Sequence, residues 1–340
     1  MSDPFSAPLE RLLAVAASPA VVRQIEGGGS PASLWASIVE SGFLDALVPE
    51  AAGGAGLTLA DAFALFVVEG RHALPVPLAH TMLVRAALSR EGITAPPGAI
   101  AVSSQTRCAA DGALSCPGTP YGLVVDWVAV ERPEGWLLLP AAGAERRGSG
   151  IHGSLRANLH WPVRPAACIA SQQPAAWQDA GAAVAAAQLA GAMARVLETT
   201  VAFANQREQF GRSIGKFQAI QHQLAVMAEQ VAAARMAAEI GCSGAGPFPA
   251  RLRAAVAKAR ASEAGTLVAS IAHAVHGAIG VTAELDLQIY TRRIHEWRAD
   301  FGSEQHWNRV LGRALLASDA GSALDFMRAE LIPGNEEIQR

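Results

Sequence analysis

Charge is scarce in this sequence. Asp, Glu, Lys and Arg make up only 17% of its 340 residues and sum to a net charge of −3, where soluble chains usually carry about a quarter. No basic stripe stands out, and binding to a nucleic acid backbone draws on clustered Lys and Arg, so nucleic acid is not the expected partner. Cysteine is scarcer still. Cys108, Cys116, Cys168 and Cys242 show no C-x-x-C spacing, which suggests neither a zinc site nor a disulfide framework and points to a reducing, cytoplasmic setting. The N-terminus lacks a basic segment followed by an apolar one, so no secretory leader is expected. A long apolar run is missing too. The most apolar stretch, Ala180 to Ala187, is too short to span a bilayer, and membrane insertion is not expected.

What the chain has instead is small apolar residues. It is 51% hydrophobic with 32 glycines and abundant alanine, enough to exclude disorder over most of its length and to build two or three packed layers. With so little charge available, many surface positions must be small and apolar, which favours close helix packing and a buried subunit interface.

Three zones separate by composition. Residues 1–93 read as an N-terminal helical domain: Leu34, Trp35, Ile38 and Val39 recur at three-and-four spacing, and Thr58 with Asp61 resembles a capping box ahead of Leu59, Phe63, Phe66 and Val67. A further helix follows Pro75 and Pro77. Residues 94–165 carry short β-prone runs at 99–102, 123–125, 127–130 and 136–139. Leu155, Ala157, Leu159 and Trp161 alternate there with polar residues, the pattern of a strand with one wet face, so this zone predicts a small antiparallel β domain. Residues 166–340 return to helix, with four long amphipathic segments and a Gly-rich break before the last, read as a four-helix bundle. The fold class is mainly α with a small β domain.

Between the first two bundle helices runs Arg207-Glu208-Gln209-Phe210-Gly211-Arg212-Ser213-Ile214-Gly215-Lys216-Phe217-Gln218, followed by Leu224, Ala225 and Met227. The run resembles the acyl-CoA dehydrogenase signature R-x-x-F-G-x-x-I-x-x-F-Q-x-x-x-x-x-L-A-x-M, and so many fixed residues rarely coincide by chance. Upstream, Val48-Pro49-Glu50 with Gly53, Gly54 and Gly56 is similar to that family's V-P-E-x-x-G-G-x-G. Downstream, residues 276–282 resemble its Gly turn, with Ala278 in place of one glycine, and Arg292 stands where the family keeps an arginine. The likeness covers most of the chain.

The resemblance implies FAD chemistry on acyl-CoA substrates, with electrons passed to an electron-transfer flavoprotein, in a homo- or hetero-oligomer whose flavin reaches a neighbouring subunit. Arg207 would grip the diphosphate, since a guanidinium fork matches phosphate oxygens. Phe210 and Gln218 would line the adenine end, with core packing an equal alternative for Phe210. Gly277 and Gly280 would let the backbone approach the cofactor.

The family's reaction also needs a carboxylate to take the acyl α-proton. Counting from Gly280 to the usual Glu reaches Phe301, and counting back from Arg207 to the position used by isovaleryl-type members reaches Gly181. Asp300 is the nearest carboxylate. It is the candidate base, with helix capping or plain solvent exposure as the alternatives, because it precedes the expected start of the last helix, and Glu304 reads as a residue compensating that helix's dipole. His273 and His276 lie three apart without a third ligand at suitable spacing, so no metal site is assigned and packing is the favoured reading. Two alternatives to a self-sufficient dehydrogenase stand open: a non-catalytic partner subunit of a heteromeric enzyme, and a flavin-free helical scaffold.

Overall fold

The computed structural model describes residues 5–109, 112–166, 168–244 and 246–331. Helices come first: α1 (Ser6–Ala16), α2 (Pro19–Glu26), α3 (Ala32–Glu40), α4 (Leu59–Arg71) and α5 (Leu78–Arg90). Helices α1 and α3 bury one stripe each, Leu9 with Leu13 and Leu34 with Ile38, four residues apart as the helical repeat requires. The capping box forms: Thr58 N–H donates to Asp61 Oδ2 at 2.9 Å and Asp61 N–H donates to Thr58 Oγ1 at 3.1 Å. Helix α5 is buried almost all round. Its polar groups are therefore paired. Thr81 Oγ1 donates to the Pro77 carbonyl at 2.8 Å and accepts from Ile100 N–H at 3.0 Å, while burial lowers His80 to a pKa of about 3 and keeps it neutral.

The strands are β1 (Ile100–Ser103), β2 (Arg107–Cys108), β3 (Leu114–Thr119), β4 (Trp127–Arg132), β5 (Gly135–Pro140), β6 (Glu145–Gly148), β7 (Ala157–Trp161) and β8 (Ile169–Ser171). They form two four-stranded sheets, ordered β1-β4-β5-β8 and β2-β3-β7-β6. All pairs are antiparallel except β1 with β4, which run parallel from Ile100↔Trp127 to Ser103↔Val130. The chain between them includes β2 and β3, long enough for the crossover that a parallel pair needs. Strand β7 shows the expected alternation, with Ala157, Leu159 and Trp161 buried. Trp161 Nε1 donates to the Pro140 carbonyl at 2.9 Å and ties one sheet to the other. The run at 123–125 is a turn and not a strand, closed by Val124 N–H on the Tyr121 carbonyl at 2.9 Å.

The chain then returns to helix in α6 (Trp177–Gln206), the minimal hairpin β9 (Glu208–Gln209) and β10 (Arg212–Ser213), and α7 (Gln218–Gly241). Next come α8 (Arg251–His276), α9 (Leu287–Ala299), α10 (Glu304–Ala317) and α11 (Ala323–Glu330). The four long helices predicted from sequence are α6, α7, α8 and α10. Helix α9 occupies what reads in sequence as a Gly-rich break. By length and composition alone, Trp177–Gln206 and Arg251–Val281 are apolar enough to cross a membrane, which the eight-residue run at 180–187 does not suggest; 83% of the most apolar window of the first is buried within the protein.

By compactness the chain divides into two units. One is Met1–Leu65, Leu74–Val184 and Gly244–Pro249, and the other is Phe66–Ala73, Ala185–Ser243 and Ala250–Arg340. The boundary falls inside α4 and α6 because both helices are continuous across it. Within the second unit, α4 and α6 meet backbone to backbone. A Cβ added at Gly191 would lie 2.0 Å from the Val67 carbonyl oxygen, and one at Gly70 would lie 2.0 Å from the Gln188 carbonyl oxygen. Gln188 Nε2 donates to the buried Glu69 carboxylate at 3.0 Å, and Arg71 pairs with Glu198 through contacts of 2.8 and 3.0 Å. Gly191→Ala is expected to destabilise by about 1–3 kcal/mol through overpacking, read as a lower urea midpoint at unchanged slope. Gly312→Ala on α10, where an added Cβ meets nothing within 4 Å, is expected to be stabilising by about 0.5–1 kcal/mol.

Candidate functional site

At the foot of α6 the backbone is clamped on both sides of Arg207. Its N–H donates to the Phe203 carbonyl and its own carbonyl accepts from Ile214 N–H, each at 2.8 Å. The hairpin pairs Gln209 with Arg212 and Glu208 with Ser213 around Phe210 (φ +55°) and Gly211 (φ +78°). Phe210 is 89% exposed, so it is not a core residue of this chain. The Arg207 side chain is exposed and makes no hydrogen bond or ion pair among the described residues. Arg212 lies 4.2 Å over the Phe217 ring, and Gln221 Nε2 braces the turn on the Gly215 carbonyl at 3.0 Å. Gln218 opens α7 and is exposed, as is Lys216. The turn thus presents three cations, Arg207, Arg212 and Lys216, against the single carboxylate of Glu208.

The Gly turn reaches the same end of the bundle. Phe203, one helical turn before Arg207, stacks on His276 with ring centroids 4.3 Å apart. His276 Nδ1 lies 2.8 Å from the Ala272 carbonyl, which makes that nitrogen the donor, and burial lowers the pKa of the ring. Gly277 follows with φ +63°, a left-handed conformation that favours glycine, and open space where a side chain would be. Gly280 differs. A Cβ there would meet His276 Cβ at 2.9 Å, so its missing side chain serves the packing of the turn itself. His273 Nε2 is 3.0 Å from Thr291 Oγ1. Among the described residues no three His, Cys, Asp or Glu side chains are grouped for a metal. A cavity of about 230 Å³ opens here, lined in part by Arg195, Thr199, Phe203, Gln206, His276 and Tyr290.

Asp300 lies elsewhere, between α9 and α10. It is 4% exposed and holds the C-cap position of α9, its N–H donating to the Glu296 carbonyl at 3.1 Å. The N-cap position of α10 belongs to Ser303. Asp300 therefore neither caps α10 nor stands in solvent. Phe301 is buried, with φ +55°, and its carbonyl accepts from Trp307 Nε1 at 3.0 Å. Glu304, in the first turn of α10, pairs with Arg298, whose Nε donates to Oε2 at 3.1 Å and whose Nη2 bonds Oε1. Beneath this segment sits Lys258, fully buried on α8, its Nζ donating to Ser262 Oγ, the Arg298 carbonyl and the Gly302 carbonyl. Sequence reasoning passed over it, since one lysine in an alanine-rich helix looks like a solvated residue.

Comparison with known proteins bears on these motifs. Residues 179–316 match the profile of the acyl-CoA dehydrogenase C-terminal domain. Acyl-CoA dehydrogenase IpdE2 of Mycobacterium tuberculosis is 33% identical over 293 residues, covering 84% of this chain and 87% of that protein. The chain belongs to the acyl-CoA dehydrogenase family. Solved acyl-CoA dehydrogenases share its fold. A chain of the ChsE4-ChsE5 complex from Mycobacterium tuberculosis superimposes with a TM-score of 0.79 at 22% identity, covering 93% of this chain and 97% of that one. One from the Tcur3481-Tcur3483 steroid ACAD does so with a TM-score of 0.78 at 24% identity, covering 92% and 96%.

For an acyl-CoA dehydrogenase the separation of these two regions matters. Arg207, Phe210, Gln218, Gly277 and Gly280 share one end of the helices, whereas the segment holding Asp300 is bonded through its 298 and 302 carbonyls to Lys258, 18 residues before His276 on α8, about 27 Å away at 1.5 Å per residue. The Arg298 hydrogen bond also has a measurable consequence. It holds the Glu304 carboxyl below its ordinary value of 4.5, so its contribution is complete above that value and is lost as pH falls through the lower native-state value. Glu304→Gln is expected to lower stability by about 0.5–1 kcal/mol at pH 7, a modest figure because the pair is partly solvated. That difference from the parent should shrink in thermal unfolding scans taken at successively lower pH, below 4.5.

Proposed function

We propose that this chain supplies the diphosphate-gripping half of a two-chain flavin site that dehydrogenates an acyl-CoA thioester at its α,β bond. The observation that carries the reading is the placement of the two regions along α8: the Arg207 turn lies by its C-terminal end, where Phe203 stacks on His276, and the Asp300 segment lies over Lys258, 18 residues earlier. About 27 Å of α8 exceeds the separation of diphosphate and ring within one flavin dinucleotide, so a flavin held by Arg207 has its reacting ring outside the reach of this chain's own 298–303 segment. A second chain must then provide the rest.

The residues present fit the diphosphate end of FAD. Arg207 and Lys216 are unpaired exposed cations on a clamped turn, Gly277 leaves open space for close approach, and Phe210 and Gln218 stand free to line the adenine. FAD, when bound, supplies the hydride acceptor. This chain's part is to bind and orient it. The α-proton requires a carboxylate facing the substrate. Phe301 and Gly181 occupy the two positions where the family resemblance looks for one, and Asp300 is buried at a helix end. The base therefore comes from the second chain, a homologous dehydrogenase subunit, and this chain acts as its partner rather than as a self-sufficient enzyme. The ChsE4-ChsE5 complex supports this assembly by analogy. In this reading the oligomer is cytoplasmic, electrons pass to an electron-transfer flavoprotein, and the substrate is a lipid or steroid acyl-CoA, in keeping with the steroid ACAD that shares the fold.

The test is the visible spectrum of the chain purified alone and with the dehydrogenase subunit encoded beside it, followed by anaerobic addition of acyl-CoA thioesters. Flavin colour and bleaching are expected only in the two-chain preparation. Bleaching by the lone chain would instead establish a self-sufficient enzyme, and absence of flavin from both preparations would leave the flavin-free scaffold. In the two-chain assembly Arg207→Ala is expected to weaken flavin retention about 10- to 100-fold, the worth of charge-assisted hydrogen bonds to phosphate.

A further inference from the structure

Of the 27 cationic side chains only two are lysines, Lys216 and Lys258. Lys216 is exposed on the cationic turn, and Lys258 is at 0% exposure in the middle of α8. An ammonium carries three protons. Three oxygens surround this one: Ser262 Oγ at 3.0 Å, the Arg298 carbonyl at 2.7 Å and the Gly302 carbonyl at 2.9 Å. A planar guanidinium could not converge its donors on that point, which accounts for a lysine at this position.

Two of the three acceptors bracket the segment between α9 and α10, and Trp307 Nε1 secures the Phe301 carbonyl between them. The carbonyls of residues 298, 301 and 302 are thus held from inside the protein. Such anchoring is needed because the backbone is unfavourable. Phe301 has φ +55° without being glycine, and Gly302 has φ +102° with Trp307 Nε1 standing 2.9 Å from where a Cβ would be. Charge adds a second requirement. Asp300 is buried at the C-terminus of α9, where the helix's own partial negative charge opposes a carboxylate. Burial pushes Lys258 below the ordinary lysine range, the negative charges of Asp300 and Glu304 act against that shift, and the Arg298 cation adds to it.

We propose that Lys258 is the positioning residue of the 298–303 segment and that Asp300 is its internal counter-charge, so that this segment is a rigid wall presenting no base. Its place beside a thioester rests on the proposed function, whereas the anchoring does not. The full chain grown with carbon-13 and nitrogen-15 lysine gives two side-chain signals. Lys258 is expected to be shielded from solvent exchange, and Asp300→Asn is expected to lower its titration midpoint by about one unit or more while Lys216 keeps its own. Lys258→Met is expected to speed amide exchange of residues 299–303 by about tenfold or more, with exchange in α6 unchanged. If that variant does not fold, Ser262→Ala removes one acceptor and should also lower the Lys258 midpoint. An unmoved midpoint in Asp300→Asn or Ser262→Ala, or unmoved exchange in a folded Lys258→Met, overturns the proposal. So does loss of thioester bleaching by a two-chain assembly carrying Asp300→Asn with the Lys258 midpoint unmoved, which would mark Asp300 as a base. The lysine signals are read whether or not flavin binds, so failure of the functional reading leaves this test standing.

Discussion

The helical part of this protein depends on backbones that touch. Where α4 crosses α6, neither Gly70 nor Gly191 has room for a single carbon, and Gly241 on α7 has the same relation to Ala257 on α8, whose Cβ would stand 2.3 Å from an added one. Helices this close leave little freedom of rotation or slip where they touch. The direction of α6 follows from that contact, and with it the position of the turn at its foot. In the proposed function, exposed side chains on a short hairpin can serve as a diphosphate grip because the helix behind it is held by that contact.

Charge is distributed accordingly. Three cations stand together on the Arg207 turn, and one is sealed inside α8. Two of the four non-glycine residues with positive φ among the described residues, Phe210 and Phe301, fall in these two segments. Strain of this kind persists only where surroundings over-determine it. At Phe210 the hairpin pairs and the clamps on Arg207 do so, and at Phe301 the hydrogen bonds from Lys258 and Trp307 do.

Much of this was legible in the residues. The capping box at Thr58, the alternation in β7 and the four long helices rest on local chemistry, and the Arg207 motif is dense enough to be read from its letters. Helix α9 was legible in principle: Leu287, Tyr290, Ile294 and Trp297 are buried at helical spacing, but the adjoining glycines draw the eye to a break. The parallel pairing of β1 with β4 was not legible, since nothing local distinguishes it from an antiparallel partner. Nor was the partition of the site. Asp300 looks like a free carboxylate ahead of a helix until Lys258, 42 residues earlier, is seen beneath it. The anchoring of the 298 and 302 carbonyls on Lys258 is a product of tertiary structure, and spacing carries no trace of it.

The near absence of lysine has a chemical consequence. Thioesters acylate unprotonated amines without catalysis, and a protein that dwells beside acyl-CoA is exposed to its own substrate as a modifying reagent. Here Lys258 is out of reach, so the lysine side chains offer such a reagent one target, Lys216. Acylation there would convert a cation of the Arg207 turn into a neutral amide. Under the proposed function, damage of this kind would fall on flavin retention and spare the packed interior.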